Sequence, residues 1–252
     1  MARALSGSRV FVAAYLMLGV AAGAAIGAAI VLVQRPGPQP PPPWSSWRPI
    51  SSSTDRQARE IANHVGGSYR LPSGNQLTGI QLKRFTVARP KAIGVMTKWD
   101  RRSAQFQLYD YSKSVFFVLC GTGANCEVSE GASSKAQGTV LRREALELAL
   151  YTFEYVKPVD HVGVFLPRIR GEKTLKATML FHRSDLSSSL SRPLRATLPQ
   201  VQPPLPGQVS ATERRTVNDL TGTKLYLYIG PVTAPGGGKM VALQPPRLTP
   251  PA

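Results

Sequence analysis

Reading along the chain for its spacing of apolar and polar positions, the first feature is an uncharged run, VFVAAYLMLGVAAGAAIGAAIVLV, at residues 10–33. As a helix rising about 1.5 Å per residue it would extend about 36 Å, enough to cross the hydrocarbon core of a bilayer with some tilt. Ala22-Gly23-Ala24 resembles a signal-peptide cleavage site, but the apolar run continues past it through Ile30-Val31-Leu32-Val33. The pattern therefore predicts an uncleaved transmembrane helix preceded by a short N-terminus, residues 1–9. Gly19, Gly23 and Gly27 recur every fourth residue and would form a small-residue face suited to self-association or to pairing with another membrane helix. Arg3, Arg9 and the terminal amine precede the span, whereas Arg35 and Arg48 follow it. The slightly denser positive charge on the near side predicts a cytoplasmic N-terminus and an extracytoplasmic C-terminal domain.

Residues 34–50 read as a linker. Its RPGPQPPPP segment favours a semi-rigid polyproline II spacer. Trp44 and Trp47 suit either the membrane interface or packing against the following domain.

From Ser51 the periodicity switches between helix and strand. Ser53-Thr54-Asp55-Arg56-Gln57 predicts a helix start with Thr54 and Gln57 as a capping box, and Gly66-Gly67 predicts its stop. QLTGIQLKRFTV, AIGVMTKW, AQFQLYDYS and SVFFVLC read as strands separated by turns. The alternation around Gln105–Tyr111 suggests one solvated face, while the unbroken apolar run Val115–Cys120 suggests a strand covered on both sides. Residues 139–156 form the strongest helical pattern, with Leu141, Ala145, Leu148, Ala149, Thr152 and Val156 on one face. Arg142, Arg143, Glu144, Glu147 and Glu154 fall mostly elsewhere, with Arg143 and Glu147 spaced for an i,i+4 pair. HVGVFLP and TLKATMLFHR add two strands, and SDLSSSL a short helix. A proline-rich connector at 198–208 precedes a helix opened by a Ser210/Glu213 capping box. KLYLYIGPV and KMVALQ then pair across APGGG. The expected architecture is α+β: an extracytoplasmic domain over 51–252 with helices packed on a mainly antiparallel sheet.

The only cysteines, Cys120 and Cys126, flank a five-residue loop after an apolar strand. In an exported domain they predict a disulfide across a hairpin; in a cytoplasmic one they would be reduced. The spacing is not the redox C-x-x-C motif, and a zinc site recruiting His161 and His182 would match no finger or ribbon. No Walker A, GxGxxG or GxSxG sequence is present, so no cofactor, metal or catalytic residue is assigned. A triad drawn from Ser184, His161 and Asp185 has no more support than chance in a serine-rich chain.

Charge adds one bulk signal, 31 Lys+Arg against 14 Asp+Glu. Such a balance attracts anionic lipid or wall polymer. The candidate polyanion contacts are Arg101, Arg102, Arg142, Arg143, Arg168, Arg170, Arg214 and Arg215. No Lys/Arg run exceeds two residues, and specific nucleic-acid readout is not expected. These patterns together point to a single-pass membrane protein whose extracytoplasmic domain is a non-catalytic binding or assembly module. Its partners would be membrane lipid and an envelope protein or polymer. An envelope hydrolase or transferase, or a membrane-tethered cytoplasmic polyanion-binding domain, are the alternatives.

Overall fold

The computed structural model describes residues 12, 15–21, 43–85, 90–100, 103–121, 123, 126–127, 134–168 and 177–246. The chain divides into two units, Met1–Pro42 and Pro43–Ala252. In the first, residues 15–21 are helical, and Leu16, Met17 and Leu18 are 66–76% exposed. No helix among the described residues is long and apolar enough to cross a membrane. The span expected at 10–33 lies mostly outside the described residues, as do Gly23 and Gly27. Gly19 lies in the helical stretch, with open space where a Cβ would stand.

Among the described residues of the second unit, eight strands form one sheet: β1 (Gly79–Leu82), β2 (Ala92–Asp100), β3 (Ser103–Asp110), β4 (Ser114–Cys120), β5 (His161–Phe165), β6 (Ala177–His182), β7 (Leu225–Thr233) and β8 (Lys239–Gln244). Their order is β1-β4-β5-β6-β7-β8-β2-β3. Five of the seven junctions are antiparallel; β4–β5 and β2–β8 are parallel. The C-terminal hairpin thus enters the main sheet between β6 and β2. Gly236, Gly237 and Gly238 all take positive φ in its turn, a conformation that residues with a Cβ resist.

Side chains alternate across this sheet as the pleat requires. Val115, Phe117, Leu119, Val162, Val164, Met179 and Phe181 face a core shared with the helices. Phe116, Phe165, Leu180, Val241 and Leu243 form a second core on the opposite face. Gly163 leaves room there for the Phe116 ring, which a Cβ would meet at 2.2 Å. The sheet curls around this second core, bringing Tyr109 of edge strand β3 within 4.4 Å of the His182 ring on β6, centroid to centroid. β4 is consequently covered on both faces, as its apolar run predicts.

Helix α1 (Thr54–Ser68) buries Ala58, Ile61, Ala62 and Val65 at helical spacing. Its N-cap is Ser53, which makes no side-chain cap bond, while the Gln57 N–H donates to the Ser53 carbonyl. The expected Thr54/Gln57 box does not form because Thr54 is already the first helical residue. Nor do the glycines stop the helix: Gly66 lets it approach Ile80, whose Cγ1 would lie 3.0 Å from a Cβ.

Helix α2 (Lys135–Tyr155) starts earlier than the periodicity indicates, with the Ser134 hydroxyl capping Gln137 N at 3.1 Å. It contacts α1 on one flank and α5 (Ala211–Thr221) on the other. That enclosure buries Arg143, Glu144 and Glu147 together with the apolar face, while Leu141 stays half-buried. A short helix α3 (Ser187–Leu190) fulfils the SDLSSSL expectation, whereas α4 (Leu194–Thr197) is unanticipated.

Trp44 and Trp47, assigned by sequence to the linker, pack on this unit. Trp44 meets Tyr151 and Tyr155 edge-on, and Trp47 stacks on His64 at 4.0 Å.

Candidate functional site

Cys120 and Cys126 form a disulfide with their Cα atoms 4.3 Å apart. Contrary to the hairpin expectation, Glu127, the one described residue directly after Cys126, does not pair with β4 but bridges in parallel to Arg168. β1 lies along one edge of β4, and β5 along the other as far as Val118. The loop is closed by Gly121 N donating to Cys126 O at 3.1 Å.

The candidate polyanion contacts separate by environment. Arg214 and Arg215 are exposed on α5, and Arg142 is half-buried with its Nη2 donating to Asn218 Oδ1 at 2.8 Å. Arg168 is half-buried; Arg101, Arg102 and Arg170 lie outside the described residues. Arg143 is not part of the solvent-facing charge, being 1% exposed.

Its guanidinium is held on every side. Nε donates to Glu213 Oε1 at 2.7 Å, Nη1 to Glu147 Oε2 at 2.8 Å and to the Tyr69 hydroxyl, and Nη2 to the Gln200 carbonyl at 2.8 Å. Burial alone would weaken its charge, but Tyr69, Glu147 and Glu213 more than offset that and hold it protonated. The Tyr69 hydroxyl donates to Glu147 at 2.6 Å; burial and the neighbouring carboxylate raise its pKa well above the usual value. One turn away, Glu144 accepts from the Thr78 hydroxyl at 2.7 Å. Burial pushes the Glu144 carboxyl up to about 8 and also raises Glu147. Glu144 Oε2 and Glu213 Oε2 are buried without a hydrogen-bond partner. Glu213 caps differently from the expected box: the Ser210 hydroxyl accepts from Glu213 N at 3.2 Å, but the carboxylate is committed to Arg143.

Beside this network a cavity of about 100 Å³ is lined by Ser45, His64, Arg143, Glu147, Tyr151 and Gln200, among others. Ligand pockets typically enclose about 300–1,000 Å³, so this space suits a few waters or one small group. Arg143 and Glu147 in its lining are paired with each other, while His64 and the exposed Arg195 also line it.

On the other face of the sheet, His161 and His182 stand directly opposite in the β5–β6 register, with Nδ1 to Nδ1 at 2.9 Å. Both rings are half-buried and touch Tyr109. Burial lowers the His161 pKa against the pull of Asp160 and Asp110. Burial, with His161 adding to it, lowers His182 to about 4. At neutral pH both imidazoles are neutral and share one hydrogen bond. Asp185 is engaged by Lys224 at 2.6 Å, so Ser184, His161 and Asp185 do not assemble a triad. The sequence placed one histidine at the start of a strand and the other at the end of the next; antiparallel pairing of consecutive strands is the signal that would have joined them. Among the described residues no group of three or more His, Cys, Asp or Glu is placed to hold a metal.

No protein-family model, curated protein or solved structure matches the chain.

Proposed function

We propose that this chain is a single-pass membrane protein whose extracytoplasmic α+β domain is a binding or assembly module of the cell envelope. The observation that carries the reading is the Cys120–Cys126 disulfide, because such bonds persist in oxidising compartments and are rare in the cytoplasm. Further support comes from the exposed apolar residues of the N-terminal helical stretch, which suit a lipid environment better than water. The buried charges of the domain pair internally, which leaves recognition to the exterior. There Arg214 and Arg215 offer charge to anionic lipid or wall polymer, and the four-residue spacing of Gly19, Gly23 and Gly27 in the sequence would suit contact with a second membrane helix.

The test is labelling of intact cells with a maleimide too polar to cross the membrane, before and after a reductant. Single Cys120→Ser and Cys126→Ser variants accompany it. Labelling from outside only after reduction is the expected result. Thiols that react without reductant, and only once the membrane is opened, in a domain protected from external protease, would place the domain in the cytoplasm and end the proposal. Opening the loop is also expected to lower stability by about 2–2.5 kcal/mol.

A further inference from the structure

From the cross-strand histidines we infer that His161 and His182 form an open chelate for a divalent transition ion of tetragonal preference, Cu²⁺ foremost. Two nitrogens each about 2.0–2.1 Å from one ion and about 90° apart stand about 2.9 Å from each other, whereas tetrahedral ligands stand about 3.3 Å apart. The observed Nδ1 separation, 2.9 Å across the shared hydrogen bond, equals that spacing, so chelation requires each ring to turn its Nδ1 lone pair from the other ring towards a common ion without moving the strands. Cu²⁺ favours that geometry and leads the divalent affinity order. The direct pairing of the two residues across β5 and β6 fixes the bite through the sheet rather than through a loop.

Neutral imidazole is the ligating form. On chelation the ring whose Nδ1 carries the shared proton moves it to Nε2, so no net proton is released. The flanking charges are Asp110, Asp160 and Asp185 against Lys113, Lys224 and Arg183, with Lys113–Asp160 at 3.3 Å and Lys224–Asp185 at 2.6 Å. Three of each sign leave binding to the nitrogen lone pairs. With two protein ligands, the remaining coordination positions belong to solvent or to a ligand carried by a partner. None of this depends on which side of a membrane the domain occupies.

Cu²⁺ is titrated into the full chain, purified in mild detergent in a non-chelating buffer near pH 7.5. One ion per chain is expected, with an axial electron paramagnetic resonance signal coupled to two nitrogens. His161→Ala and His182→Ala should each weaken binding by at least about 10-fold and abolish the two-nitrogen coupling, while His64→Ala changes neither. Circular dichroism establishes that each variant is folded, and His182→Asn provides a polar replacement should the alanine variant unfold. Cu²⁺ retained equally by the His161→Ala/His182→Ala chain, no stoichiometric binding, or Zn²⁺ bound more tightly than Cu²⁺ would each overturn the assignment.

Discussion

The two faces of the sheet treat buried polar groups in opposite ways. Against the helices, Arg143 is 1% exposed and Glu213 is 0% exposed, yet the two form an ion pair at 2.7 Å. Desolvating charges is expensive, and only dense hydrogen bonding makes it tolerable; four acceptors around one guanidinium supply that bonding. On the far face the histidines are half-buried and discard their charge instead, sharing one hydrogen bond through their Nδ1 atoms. The first arrangement commits four of the five N–H donors of the guanidinium. The second leaves both Nε2 atoms outside the shared bond and holds the pair by a single contact. Depth alone therefore does not identify a reactive cluster: what matters is how much of their bonding the groups have committed to each other.

The largest test of this contrast is Arg143→Met, which strands Glu147 and Glu213 without their cation. A loss of about 3–5 kcal/mol is expected in urea unfolding; a loss below about 1 kcal/mol would mean that the network is not the charged device described.

Glu144 gives the next effect. Its folded pKa of about 8 lies above the unfolded value, so the native state retains a proton that the unfolded chain releases. Stability from this group is full below about 4.5 and is lost as pH rises towards and beyond 8. Glu144→Gln removes that penalty and should exceed the parent by about 2–4 kcal/mol at pH 9, with little difference at pH 5. Equal alkaline limbs in the two melting profiles would rule this out.

The histidine pair has the opposite sign. Because the folded His182 pKa is lowered to about 4, the unfolded chain binds the proton first. Stability is present above about pH 6.5 and is lost as pH falls towards 4. The expected loss is about 1–2 kcal/mol, less than full linkage because both rings remain partly solvated. Replacing His161 and His182 together with asparagine should flatten this acid limb.

The smallest change in stability belongs to the exposed Arg214→Ala/Arg215→Ala chain, within about 0.5 kcal/mol of the parent. Its partition onto vesicles containing anionic lipid should nevertheless fall, by about 1 kcal/mol for each arginine near the surface. Unchanged partition would remove α5 from the polyanion surface.

The adjacent Arg142 and Arg143 show where local reading ends. Helix α2, the strands around Val115–Cys120 and the 225–244 hairpin are legible in the sequence because period, caps and turn glycines act over a few neighbouring residues. The closeness of Cys120 and Cys126 follows from the same short range. Which flank of α2 would be buried does not: Arg143 meets Tyr69 and Glu213, 74 and 70 residues away, and only the packing of α5 and the connector removes water from it. The partner of Glu127 was missed for a similar reason, since Arg168 lies 41 residues further along the chain. Likewise, the insertion of β8 beside β2 and the meeting of His161 with His182 depend on register between strands. Sequence by itself determined where the backbone could be helix, strand or turn, because those preferences are local. Tertiary structure alone decided which polar groups share a desolvated space, because that depends on surfaces brought together from distant parts of the chain.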